Sequence, residues 1–289
     1  MNRTSIHPQM HDLGGGFIVR RLLPAAQRRA VGPFVFFDHF GPVSAGPADD
    51  HDVRPHPHIG LATLSYLFEG ALLHRDSLGT LQRIEPGAVN WMSAGRGIVH
   101  SERTPDDLRG VTRRSHGLQL WLALPAADEE MAPAFAHTAA ADLPELEVGG
   151  ATLRLLVGSA FGATSPVAAH SPTLCVDITL REGDGFPLPL AAERALYSVA
   201  GGFELDGQAI APQQLVLIEP GDEPMISGSE DARVMLIGGA ALGQRHMRWN
   251  FVSSRPERIA QAAADWVAGR FPAVPGDSEF MPMPASRPA

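Results

Sequence analysis

The sequence predicts an all-β protein: two β-barrel or sandwich domains, with one helix near the C-terminus. Three observations carry this. Short apolar runs are punctuated by 30 glycines and 25 prolines in 289 residues. Leu118, Leu120, Leu122 and Leu124 alternate along one run, and Leu174, Val176, Ile178 and Leu180 along another. A period of two puts each set on one face of a strand, and many short strands between frequent turns suit a sandwich or barrel. Finally, Ile84-Glu85-Pro86-Gly87 recurs as Ile218-Glu219-Pro220-Gly221, and Tyr66-Leu-Phe-Glu-Gly70 is echoed by Tyr197-Ser-Val-Ala-Gly201. The ordered repeat predicts two domains of similar topology, with the two Pro-Gly turns in equivalent places.

The elements follow in order. The first sixteen residues lack an apolar core of signal-peptide length. Strand-like runs then cover 17–23, 34–37, 59–68 and 118–124 in the first half. Residues 125–150 read as a loop separating a domain of 1–135 from one of 150–289. The second half has strand-like runs at 153–157, 174–180, 196–199 and 233–237. Ser254 with Glu257 three residues on forms a capping box, and Pro256 falls in the tolerated first turn. Ile259, Ala263, Trp266 and Val267 share a face of the predicted helix, which Gly269 can end. The helix is expected to pack on a barrel of its own chain, and the proline-rich tail from Pro272 to lie extended over the surface.

Composition excludes several functions. The net charge is −9, which opposes phosphate-driven nucleic-acid binding, and Arg113-Arg114 and the pairs at 20–21 and 28–29 are too short for a basic patch. All 23 basic residues are arginine, so neither a Schiff-base lysine nor a P-loop lysine exists. The single cysteine, Cys175, excludes an intramolecular disulfide and a multi-cysteine zinc site. The longest apolar stretch, 234–243, is about half a membrane span and carries three glycines. The expectation is a soluble cytoplasmic protein with no membrane and no direct nucleic-acid partner.

The residues that carry chemistry lie in the first half. His56-Pro57-His58 is followed by His100-Ser101-Glu102. On an extended strand, residues i and i+2 point to one face about 6.5–7 Å apart. Two such strands side by side would bring three imidazoles and one carboxylate together. Pro57 donates no ladder bond, which places its strand at an edge. The alternative is a loop of solvated histidines, and the internal repeat argues against it. The repeat offset sets Pro187-Leu188-Pro189 against the first triplet, and Val234 and Leu236 against His100 and Glu102. The ligands therefore belong to one half only, and the second half is expected to bind no metal. Nitrogen and oxygen donors without thiolate suit Fe(II), Mn, Ni, Cu, Co or Zn. Four ligands on an octahedral ion leave two adjacent positions open, the layout of a non-haem iron oxygenase, whereas a four-coordinate zinc would be closed and structural.

The run from Asp52 to Gly60, the run from Pro86 to Glu102, the segment Val31-Gly-Pro-Phe-Val-Phe-Phe-Asp-His-Phe40 and Trp249-Asn-Phe-Val-Ser-Ser254 resemble the pirin family of the cupin superfamily. The resemblance spans essentially the whole chain. It implies a bicupin of two jelly-roll barrels with an iron site in the N-terminal one, and His56, His58, His100 and Glu102 match the family ligands one by one. The glutamate usual in other cupins shortly after the second histidine is absent, with Ala62 and Thr63 there, and Glu102 takes its role as in pirins. Some members are similar in activity to quercetin 2,3-dioxygenase. The resemblance thus implies a small-molecule chelating substrate, a flavonol or other enediol, together with O₂. Glu102 is then the candidate acceptor of the substrate hydroxyl proton. A eukaryotic member acts as an iron-dependent transcriptional co-regulator, which makes a regulatory protein with a protein partner the alternative. A storage or structural metal protein is the third class.

Other residues read as structural. Arg96 sits in a Gly-Arg-Gly turn where a solvated side chain outweighs a role against an anionic substrate. Trp91 and Met92 read as core before pocket wall. Asp38 suits a turn or surface as well as a bond to a ligand imidazole. His39, His51, His74 and His116 read as ordinary hydrogen-bonded histidines, and Cys175 as a packing residue.

Overall fold

The computed structural model describes residues 3–14 and 16–284. The chain forms two compact units. One comprises residues up to His11, Val19–His39 and Thr138–Ala241; the other comprises Asp12–Ile18, Phe40–His137 and everything from Leu242 on.

In the second of these units, the principal strands are β1 (Phe34–Ala45, whose later residues lie here), β2 (Val53–His58), β3 (Leu61–Glu69), β4 (Leu72–Asp76), β5 (Leu81–Ile84), β6 (Val89–Ser93), β7 (Ile98–Arg103) and β8 (Arg113–Ala123). They form a large sheet containing the order β6-β3-β8-β1 and a small sheet β2-β7-β4-β5. Among the described pairings, neighbours run antiparallel. The other unit repeats the plan. Its strands are β9 (Ala151–Val157), β10 (Thr173–Leu180), β11 (Gly185–Pro187), β12 (Glu193–Ala200), β13 (Phe203–Leu205), β14 (Gln208–Ile210), β15 (Leu215–Ile218), β16 (Met225–Ser227) and β17 (Ala232–Gly239). The order β15-β12-β17-β10-β9 makes its large sheet and β11-β16-β13-β14 its small one. Each unit is a two-sheet jelly roll, and the alternating runs of the sequence lie in β8 and β10.

The pairings fix how the two copies correspond. Tyr66 pairs with Val89 and Tyr197 with Leu215, so the two tyrosines are equivalent. The Gly87 N–H donates to the Leu67 carbonyl, and the Gln213 N–H to that of Ser198. Ile84-Glu85-Pro86-Gly87 therefore corresponds to Ile210-Ala211-Pro212-Gln213, and Gln213 takes a φ of 62° where Gly87 has 80°. The expectation that Pro220-Gly221 is the equivalent turn is wrong. That turn follows β15 and leads to β16. Two turns of the same chemistry, Pro then a residue at positive φ, occupy opposite ends of a strand.

The helix α1 (Pro256–Val267) begins with Pro256 at its first position, but the expected capping box is absent. Ser254 donates its hydroxyl to Glu129 Oε2 at 3.0 Å and its N–H to Glu129 Oε1 at 2.7 Å, so it is engaged by a carboxylate remote in sequence. Ile259, Ala262, Ala263 and Trp266 are buried against Ile59, Val99, Phe251 and Val274. Val267, expected on that face, is 71% exposed, because one further residue turns about 100° around the helix axis. Gly269 (φ 66°) ends the helix as expected. The tail is anchored as well as extended: Val274 is buried, and Asp277 accepts hydrogen bonds from Ser101 Oγ (2.6 Å) and Arg103 Nε (2.9 Å). Helix and tail, which the sequence grouped with the second domain, thus pack on residues flanking β2 and lying in β7. Among the described residues no helix is long and apolar enough to cross a membrane.

Candidate metal centre

β2 and β7 pair antiparallel, with His56 opposite His100 and His58 opposite Ile98. The period of two turns all three imidazoles to one side. They are buried, and one nitrogen of each lies within 4.8 Å of the others. The proton positions follow from the neighbours. A carbonyl only accepts, so His56 Nδ1 donates to the Arg54 carbonyl (2.8 Å) and His58 Nδ1 to that of Asn250 (3.2 Å). Each ring then carries its lone pair on Nε2. His58 Nε2 lies 3.1 Å from His100 Nε2, close to the spacing of adjacent donors on one ion with bonds of ~2.1 Å. Burial drives the pKa of His56 down to about 4 and those of His58 and His100 well below the usual histidine range. Neutral, preoriented, mutually close imidazoles suit a transition-metal ion.

Glu102 is not in this close group. The register shifts between His100 and Glu102, a bulge that sets Glu102 opposite Val53 on β2 and His74 on β4. Its Oε1 accepts from Ser65 Oγ at 3.3 Å. Burial raises its pKa, against the opposing pull of His74 and the Ser65 hydrogen bond.

The lining around these residues is polar. On β3, Ser65 stands opposite Asn90 of β6 and Gln119 of β8, and Ser65 Oγ is 2.8 Å from Gln119 Oε1. Trp121 meets His58 edge to face, with ring centroids 5.1 Å apart. Met92 shares this face through its pairing with Thr63, while Trp91 alternates to the other. The second barrel reverses the chemistry. By register, His56, His58 and His100 correspond to Phe186, Leu188 and Ile226, not to the Pro187, Pro189 and Val234 expected from the repeat. Ser65, Asn90 and Gln119 correspond to Leu196, Val216 and Leu236. These residues all belong to one apolar core cluster. A fold that fills this space with hydrocarbon in one copy does not need buried imidazoles and amides in the other, which cost free energy unless partnered.

The remaining candidates are structural. Asp38 is bound by Arg21 through two bonds of 2.8 Å, with burial raising its pKa. His39 is buried 2.7 Å from the Tyr197 hydroxyl, His51 stacks on Phe17 and His116 on Phe68. Arg96 is exposed in its turn. Burial pushes the Cys175 thiol far up, so it is not a nucleophile. His74 is hydrogen-bonded, as expected, and its partners lie beside the cluster: its Nδ1 is 3.4 Å from His100 Nδ1 and its Nε2 3.1 Å from Asp76 Oδ2. Burial raises the Asp76 pKa, but hydrogen bonds from His74 and Thr80 outweigh it and hold the carboxyl below the usual range.

Fold and site together define a bicupin with a histidine cluster suited to a metal in its first barrel. The chain belongs to the pirin family: the pirin model matches residues 16–122 and the pirin C-terminal cupin domain residues 175–272. A pirin-like protein of Caulobacter vibrioides is 48% identical over 275 residues, covering 93% of this chain and 95% of that one. A Pseudomonas aeruginosa protein named as a candidate quercetin 2,3-dioxygenase is 40% identical over 263 residues, covering 89% and 81%. The crystal structure of a quercetin 2,3-dioxygenase from Acinetobacter baumannii matches with a TM-score of 0.90 and 33% identity, over 99% of this chain and 95% of that one.

Proposed function

We propose that the chain is a metal-dependent dioxygenase of the quercetin 2,3-dioxygenase kind, acting on a flavonol or similar enediol chelator with O₂. The observation that carries this is the exchange of an apolar barrel interior for converging Nε2 lone pairs beside a polar lining. His56, His58 and His100 would hold the ion, with Glu102 as fourth ligand after a side-chain rotation away from Ser65. Fe(II) is the assigned metal, and Mn, Ni, Cu, Co and Zn are the comparison ions. When bound, the ion supplies Lewis acidity toward an anionic hydroxy-ketone and a centre for dioxygen chemistry. The chain's residues do the rest. Glu102 accepts the substrate hydroxyl proton at a carboxylate oxygen. Ser65, Asn90 and Gln119 orient polar substrate groups. Trp121 and Met92 keep water from the inner wall of the barrel.

The test is oxygen uptake by iron-loaded protein with a panel of flavonols and other enediols. Uptake matched to substrate loss, with carbon monoxide released from a flavonol, is the expected result, as is loss of bound metal in the double variant His56→Ala/His100→Ala. Full iron occupancy without uptake across the panel overturns the oxygenase reading in favour of a metal-dependent interaction protein. Stoichiometric metal in the double variant overturns the ligand assignment.

A further inference from the structure

Behind His100 stands a second polar pair on the neighbouring strand. β4 and β7 pair with His100 opposite Asp76 and Glu102 opposite His74. Asp76 is fully buried, and its Oδ1 accepts the N–H groups of Leu78 (2.9 Å) and Thr80 (3.0 Å). Its Oδ2 lies 3.1 Å from His74 Nε2. A carboxylate held by backbone donors accepts there as well, so the His74 proton sits on Nε2 and its Nδ1 is an acceptor. That Nδ1 lies 3.4 Å from His100 Nδ1. His100 therefore donates from Nδ1 and keeps its lone pair on Nε2, the atom beside His58 Nε2. At this length the link directs more than it binds. Phe135 stacks on His74 at 4.4 Å and fixes its ring plane.

We infer that His74 and Asp76 are positioning residues that set the tautomer and ring orientation of His100 for metal binding. The inference rests on the metal site proposed above. A purely architectural role is disfavoured by the second barrel, where the corresponding strand β13 also pairs with the neighbour strand β16 but carries Phe203 and Leu205, both buried in its apolar cluster, and no polar pair. The pair accompanies the imidazoles and is replaced with them.

The test uses Co(II) as the probe, titrated into the full-length chain, with affinity and the ligand-field spectrum as readouts. His74→Phe keeps a ring on Phe135 and removes the acceptor; Co(II) affinity should fall roughly 10- to 100-fold, with a changed spectrum. His74→Asn sets an amide oxygen near the former Nδ1 and should recover most of the affinity, while His74→Gln keeps only the Asp76 side of the relay and should not. The Asn–Gln contrast decides the matter even if His74→Phe does not fold. Equal behaviour of Asn and Gln, or wild-type affinity and spectrum in folded His74→Phe, overturns the inference. If the wild type binds no Co(II), the metal-site reading itself fails and the inference falls with it; if it binds and the variants do not differ, only the inference falls.

Discussion

Replacing Trp266 by alanine tests whether α1 braces the strands that carry the histidine cluster. Trp266 is 5% exposed and packs in one cluster with Ile59, Val99, Phe251 and Val274. Ile59 follows His58 and Val99 precedes His100, so this cluster backs both histidine-bearing strands. A buried indole withdraws about 200 Å² from water, worth roughly 4–5 kcal/mol at ~25 cal/mol/Å². Its Nε1–H also donates to the Met281 carbonyl at 3.1 Å, and its ring stacks on Phe280 at 4.5 Å. The helix lies at the surface and can partly collapse into the gap, so the expected cost is about 3–4 kcal/mol. Trp266→Phe keeps a ring and loses the hydrogen bond, for roughly 1–2 kcal/mol. Urea unfolding followed by circular dichroism should show the transition of the unit containing α1 moving to lower urea, with the other unit unchanged. Co(II) affinity should fall about tenfold, as it does when support behind a ligand is lost. A cost below about 1 kcal/mol, no difference between Ala and Phe, or unchanged metal affinity would refute the bracing argument.

Further expectations concern single positions. Gly60→Ala would place a Cβ 2.0 Å from the Val252 carbonyl oxygen at a φ of +65°; we expect a loss of roughly 3 kcal/mol or more in thermal or urea unfolding, with weaker metal binding. Glu102→Gln keeps the volume and an acceptor for Ser65 but removes the charge, and calorimetry should show metal affinity lowered roughly tenfold or more. Asp277 is pushed up by burial but held below its ordinary pKa overall by hydrogen bonds from Arg103 and Ser101. Its contribution is therefore present above the unfolded value near ~4 and lost as pH falls through the lower folded value. Asp277→Asn should cost about 2 kcal/mol at neutral pH, with the gap to wild type closing in acid during a pH series of urea midpoints.

The site was legible where chemistry broke with the pattern of its surroundings. Histidines at i and i+2 beside a proline do not read as a core strand, and the structure brings His56, His58 and His100 together. Glu102 had the same spacing, but the bulge after His100 is a property of the pairing with β2 and leaves no local mark. His74-Arg75-Asp76 carried the same i, i+2 signal and was passed over because each residue was weighed alone. The capping box at Ser254 failed because Glu129, 125 residues away, claims the serine. The most informative failure concerns faces. Alternation shows which residues share a face, not which face is the lumen. Along β3, Ala62, Leu64 and Tyr66 alternate with Thr63 and Ser65, and all five are buried. Hydropathy alone would turn the apolar set inward, yet Ser65 faces Glu102 and Gln119. In β12 the equivalent of Ser65 is Leu196, and there the apolar choice does point into the core. Strand period is set by backbone geometry and is common to both barrels. Lumen polarity is set by what the barrel holds, so comparing the two copies position by position locates the site more sharply than either copy does alone.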